Sequence, residues 1–153
     1  MRKWNFCAGP AVISEEVLKE VQNELVEWGD SGMSIMEMSH RSSIYDQVAI
    51  EAKSDLVDIL SIPETHDVLF LQGGATQQFA TIPMNFASDS KKADYVLSGT
   101  WSKKSIAEAS KLINVKTIAS SENNGSYTKA PHPDSWNISQ DSSYVHYCPN
   151  ETI

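Results

Sequence analysis

Short apolar runs alternate with helix-period segments through the second half of the chain, and this alternation restricts the fold more than any other feature. Val68-Leu69-Phe70-Leu71 is followed by a helical pattern from Ala75, then Tyr95-Val96-Leu97, a helical pattern from Trp101, and Val115-Lys116-Thr117-Ile118. The last run, Tyr144-Val145-His146-Tyr147-Cys148, leads into Pro149-Asn150-Glu151-Thr152. Runs rich in β-branched and aromatic residues need neighbours on both sides. Alternating with helices, they predict an α/β fold: a mostly parallel sheet with helices on both faces. The loop after the last strand lies where such folds place ligand-binding groups. Because the chain ends at Ile153, the expectation is an incomplete sheet carrying half of a site.

The first half is organised differently. Ser14 precedes two glutamates and the stripe Val17, Val21, Leu25, Trp28, the spacing of an amphipathic helix that Gly29 would stop. Residues 30–43 show no clean period and read as an extended loop. Ser42 or Ser43 caps a second helix with the apolar face Ile44, Val48, Ala52, Leu56, Ile59, closed by Pro63. Residues up to about Leu60 are expected in a different layer from the sheet. Pro83 should kink or shorten the helix from Ala75. Residues 120–126 and Pro131-His132-Pro133 are loop chemistry.

Composition excludes several classes. The chain has 153 residues, of which 41% are apolar, enough for a core. A formal charge of −8 and only two arginines, Arg2 and Arg41, argue against a nucleic-acid partner. No stretch approaches the roughly 20 apolar residues of a membrane span, and no long apolar segment follows Met1, so a cytoplasmic protein is expected. Cys7 and Cys148 lie far apart in unlike contexts, giving neither a zinc pattern nor a disulfide framework. No metal site is expected.

Four places could carry chemistry. Gly73-Gly74-Ala75-Thr76 follows an apolar run and opens a helix. It either offers backbone N–H groups to a phosphate or simply makes a tight βα turn. It lacks the Walker lysine and the dinucleotide spacing, so a small phosphorylated cofactor fits better than a nucleotide. Gly99-Thr100-Trp101 follows the next strand, and its indole either stacks on a planar ring or packs into the core. Asn150-Glu151-Thr152 puts a hydroxyl and an amide on the same sheet edge. His40-Arg41 brings a planar cationic fork into a loop, for a bound anion or for weak surface ion pairs.

Taken together, Asn5-Phe6-Cys7-Ala8-Gly9-Pro10-Ala11, Met36-Glu37-Met38-Ser39-His40-Arg41, the segment from Leu69 to Phe79, Ala93-Asp94-Tyr95-Val96, Gly99-Thr100-Trp101 and the segment from His146 to Ile153 resemble the phosphoserine aminotransferases. These are pyridoxal-phosphate enzymes of the class V, fold type I group. The resemblance covers the whole chain and implies pyridoxal 5′-phosphate as cofactor. Gly74, Ala75 and Thr76 would hold its phosphate, Trp101 would stack on its ring, and Thr152 would hydrogen-bond near its ring oxygen. His40 and Arg41 would reach the anionic groups of the substrates, in a neighbouring subunit's site of a homodimer with shared active sites. Ala8 stands at a family position near the substrate where Ser can occur.

The implied reaction moves an amino group from glutamate to 3-phosphohydroxypyruvate in serine biosynthesis, with a related role in pyridoxine biosynthesis. Residues 1–14 would belong to a small domain or interface. Residues 15–153 would form the first part of the large cofactor-binding domain, a PLP-dependent transferase-like domain cut before the catalytic lysine. The Schiff-base lysine is expected beyond Ile153, so no catalytic residue is assigned in this chain, and Lys103 and Lys104 are expected to be solvated. The competing reading is a catalytically inactive folded fragment that acts through association or weak anion binding.

Overall fold

The computed structural model describes residues 2–87 and 89–151. The chain divides between Phe70 and Leu71 into two compact units.

The first unit carries two helices. Helix α1 spans Glu15–Glu24, and the Ser14 hydroxyl accepts a hydrogen bond from the Val17 N–H at 3.2 Å. Glu15 and Glu16 lie at its positive end, where carboxylates are favoured. It stops at Glu24, short of Gly29. Gly29, at φ +52°, instead serves a tight loop in which the Trp28 N–H donates to the Met33 carbonyl at 3.0 Å.

The segment expected to be an extended loop contains one turn of 3-10 helix, Ile35–Glu37. There the Ser34 hydroxyl accepts from the Met36 N–H, and the Glu37 carboxylate accepts from the Ser34 N–H at 3.0 Å. Helix α2, Ser43–Leu60, starts on Ser42, whose hydroxyl accepts from the Tyr45 N–H. Its end is made by Ser61 in the left-handed conformation, φ +50°, with the Ile62 N–H bonded to the Val57 carbonyl. Pro63 follows that stop rather than causing it. Neither helix buries a residue fully, so the apolar stripe through Val17 and Val21 stays about half exposed.

The second unit holds the sheet. Helix α3 spans Ala75–Phe86, strand β1 Lys92–Leu97, helix α4 Thr100–Ala109 and strand β2 Asn114–Ser120. A small antiparallel hairpin pairs β3, Glu122–Asn123, with β4, Ser126–Tyr127. Strand β5 is Val145–His146. The main sheet has the order β2-β1-β5, and its strands are all parallel, the direction that the alternation of runs predicted. Four consecutive residues of β1, Ala93 to Val96, are buried, which is what a central strand covered on both faces requires. Tyr95 pairs with Thr117 and Val96 with Ala119, leaving Ile118 as a bulge. Ala93, Tyr95 and Ala109 form the core, flanked by Ile106, Ile113, Val115 and Tyr144.

Three further local expectations are corrected. Val68-Leu69-Phe70-Leu71 forms no strand and pairs with none among the described residues, and Leu69, Phe70 and Leu71 are exposed. A strand exists only through its ladder, and local composition cannot supply the partner. Pro83 neither ends α3 nor shortens it to that point. It is buried with Phe79, four residues earlier on the same face, in a helix that packs on α4, and this packing offsets the lost backbone bond. The segment read as loop at residues 120–126 contains the hairpin, turned by Asn124 and Gly125 at φ +49° and +79°, the positive-φ pair of a two-residue hairpin turn.

Among the described residues no helix is long and apolar enough to cross a membrane, and no group of three or more His, Cys, Asp or Glu could hold a metal ion.

Candidate functional site

Two helices of the second unit start after glycine turns, and their first turns are built in opposite ways. At α3, Gly73 adopts φ +97°, and a Cβ there would run into the Gln77 side chain. Gly74 is extended and caps the helix. Its carbonyl accepts from the Gln77 N–H at 3.0 Å and the Gln78 N–H at 3.4 Å. No side chain caps this start and no acidic residue lies in its first turn. Nothing comes within 4 Å of where a Gly74 Cβ would sit. The N–H groups of Ala75 and Thr76 thus lie at the positive end of a 12-residue helix without a side-chain acceptor, the electrostatic setting in which an anion is bound.

At α4 the corresponding place is filled. The two oxygens of Glu151 accept hydrogen bonds from the Trp101 N–H at 2.8 Å and the Ser102 N–H at 2.9 Å. The Ser98 hydroxyl donates to the same carboxylate at 3.4 Å. The Ser102 hydroxyl completes the cap, accepting from the N–H groups of Ser98 and Gly99, each at 2.9 Å, and donating to the Gly99 carbonyl at 3.0 Å. Burial alone would raise the Glu151 carboxyl above its ordinary range. The hydrogen bonds from Ser102, Trp101 and Ser98 together outweigh that and hold it below. The Cys148 thiol nearby is pushed up, by burial first and then by the Glu151 charge.

Trp101 therefore sits where the sequence placed it, after the carboxyl end of β1, with its side chain half-buried. The Lys104 Nζ lies 4.3 Å from the centroid of its ring, a cation held over an indole face. Lys103 is exposed and reaches Glu122 at 3.9 Å. Gly74, Ala75, Thr76 and Trp101 belong to one unit, on two helices that pack together. Thr152 lies outside the described residues. His40 and Arg41 belong to the first unit, in the bend that leads into α2. Both are exposed. The Arg41 N–H donates to the Ser39 hydroxyl at 3.2 Å, and among the described residues no carboxylate pairs with its guanidinium.

Sequence reasoning took the Asn150-Glu151-Thr152 loop for its hydroxyl and amide and missed the carboxylate. The usable signal was the start of α4, where Gly99-Thr100-Trp101-Ser102 has no acidic residue of its own to meet the helix's positive end. Such a start asks for an acceptor from elsewhere.

The family model described as aminotransferase class-V matches residues 3–153. Phosphoserine aminotransferase of Hahella chejuensis is 49% identical over 152 residues, covering 99% of this chain and 42% of that protein. The solved structure of phosphoserine aminotransferase from Bacillus circulans subsp. alkalophilus superimposes with a TM-score of 0.88 at 43% identity, over 99% of this chain and 42% of that one. The PLP-bound phosphoserine aminotransferase from Trichomonas vaginalis gives a TM-score of 0.88 at 39% identity, over 99% of this chain and 45% of that one. The chain thus spans less than half the length of these relatives, and the parallel sheet with its helices is theirs. With a family match over residues 3–153, nearly its whole length, the chain belongs to the aminotransferase class-V family.

Proposed function

We propose that these residues are part of a phosphoserine aminotransferase that uses pyridoxal 5′-phosphate to move an amino group from glutamate to 3-phosphohydroxypyruvate, yielding phosphoserine and 2-oxoglutarate. The observation that carries this reading is the uncapped start of α3. Gly74 has open space beside it at this start, while the other glycine-opened helix among the described residues, α4, has its positive end already taken by Glu151. A phosphate monoester dianion fits such a place, because fixed N–H donors and the helix dipole both favour negative charge there.

In this assignment Gly74, Ala75 and Thr76 would hold the cofactor phosphate and Trp101 would stack on its ring. Thr152 would hydrogen-bond the cofactor near its ring oxygen. His40 and Arg41 take the anionic groups of the substrates, since a guanidinium fork matches carboxylate and phosphate oxygens. No lysine of this chain is assigned the covalent bond. When bound, pyridoxal phosphate supplies an electron sink for the pair released at the amino acid's α-carbon. The contribution of these residues is to fix the phosphate, orient the ring and select substrates that carry an additional negative group.

The protein works as a homodimer with shared sites in the cytoplasm, within serine biosynthesis, and also serves pyridoxine biosynthesis through a related phosphorylated hydroxythreonine. The test uses the protein at its full natural length, supplied with pyridoxal phosphate, glutamate and 3-phosphohydroxypyruvate. Phosphoserine should accumulate in step with 2-oxoglutarate. A folded, cofactor-loaded protein that forms neither product would overturn the assignment.

A further inference from the structure

We infer that Glu151 is a positioning residue for Trp101: its carboxylate caps α4 across the edge of the sheet and thereby holds the indole in the place the cofactor ring requires. This rests on the function proposed above.

The contact joins two strand ends. β1 leads through Ser98 and Gly99 into α4, and β5 leads through Cys148 and Pro149 to Glu151. One carboxylate oxygen accepts from Trp101 and the other from Ser102, so two of the orphan donors of the first turn are satisfied by a single bidentate group, with Ser98 supporting it. Among the described residues, every donor to this carboxylate lies in the segment that carries the indole. Trp101 is thus held by its own N–H, one covalent step from the Cα that aims the ring, and Lys104 lies over the ring from within the same helix.

Gly99 belongs to the same device. Its φ of 174° is ordinary extended backbone, so conformational freedom is not the reason for glycine here. The reason is space: a Cβ at Gly99 would sit 2.5 Å from Glu151 Oε2 and 2.6 Å from its Cδ. The carboxylate is the flexible end of a side chain, so Gly99→Ala would expel it from the cap without deleting it. The device also separates the two helix starts. An internal carboxylate occupies the positive end of α4, which leaves the start of α3 as the place for an external phosphate.

The test compares the full-length protein with Glu151→Ala, Glu151→Gln and Gly99→Ala, using two readouts that do not depend on turnover. The first is the dissociation constant of pyridoxal phosphate by equilibrium dialysis. The second is hydrogen exchange of the peptide containing Trp101 and Ser102, measured without cofactor. Glu151→Ala and Gly99→Ala should each raise the dissociation constant by about five- to tenfold, the scale of a lost helix cap, and should speed exchange in that peptide. Added acetate should restore both in Glu151→Ala by entering the vacated cap, but not in Gly99→Ala, where the methyl group fills it. Glu151→Gln should fall between, because an amide presents one acceptor where two are needed.

Wild-type affinity and exchange in Glu151→Ala, or losses that acetate leaves unchanged, would overturn the inference. If Glu151→Ala fails to fold, Gly99→Ala decides: wild-type affinity and exchange there overturn it equally. A wild-type protein that binds no pyridoxal phosphate would overturn the proposed function instead, while the exchange data would still decide whether Glu151 holds Trp101.

Discussion

The imidazole of His146 stacks on the ring of Tyr95, with centroids 4.8 Å apart and planes 19° from parallel. Phe79 meets the same imidazole edge-on at 6.2 Å, and the Tyr95 hydroxyl is 2.8 Å from that of Tyr144. The Nδ1 of His146 is buried with no partner among the described residues, and burial holds its pKa below the usual 6.5. Protonating this ring therefore means charging a group the fold has desolvated. The unfolded chain takes up the proton near 6.5, whereas the folded chain takes it up only at lower pH. Stability from this group is thus full above 6.5 and lost as pH falls through that value toward the lowered one. His146→Phe keeps an aromatic stack and removes the titration. Between about pH 7.5 and about pH 5.5 the urea midpoint of the wild type should fall more than that of the variant. Equal falls would contradict the assignment.

Gly73→Ala should cost both stability and phosphate affinity. At φ +97° an L side chain is strained, and its Cβ meets the Gln77 side chain in the first turn of α3. The expected destabilisation is about 1–3 kcal/mol, the scale of a residue forced into a sparsely populated backbone region. Thermal unfolding measures it. Gly74→Ala is the control, since Gly74 has open space around it and no positive φ, and its melting temperature should change much less.

The two proposed ligand contacts separate kinetically in the full-length protein. Trp101→Ala should weaken pyridoxal phosphate binding by about 1–2 kcal/mol, the loss of a stacked aromatic with its buried area, as read by equilibrium dialysis. Arg41→Ala should leave cofactor affinity unchanged and raise KM for glutamate or the phosphorylated substrate by about tenfold or more, the scale of a charge-assisted hydrogen bond. Unchanged KM for both substrates would remove Arg41 from the site.

Asp94 is buried in the middle of the sheet, and its carboxylate accepts from the Ser139 N–H at 2.6 Å and the Ser139 hydroxyl at 3.1 Å. It ties the segment after the hairpin to β1. Asp94→Ala removes both acceptors from partly buried donors and should destabilise by about 1–3 kcal/mol. Asp94→Asn, which keeps one carbonyl acceptor, should lose less. Urea titration of the two variants orders them, and the reverse order would show that Ser139 is held by other contacts.

The helix start after Ser14, a second start at Ser42 or Ser43, the apolar strand through Tyr95 and Val96, the mostly parallel character of the sheet and the glycine opening of α3 were all legible in the sequence. In each case a local signal, whether periodicity, a capping hydroxyl or a β-branched run, agrees with what packing needs. The hairpin at Asn124-Gly125 was also written locally, in a positive-φ pair that the loop reading passed over. The unpaired state of Val68 to Leu71 and the survival of α3 past Pro83 were decided by partners: a ladder that must be supplied by another segment, and a helix face that must be covered. Glu151 is the clearest case. Its bond to Trp101 spans 50 residues of sequence, and neither residue announces the other. Only the parallel sheet, by setting the ends of β1 and β5 side by side, brings a carboxylate to the positive end of α4, and the long-range hydrogen bonds that follow are a property of the fold rather than of any local stretch of chain.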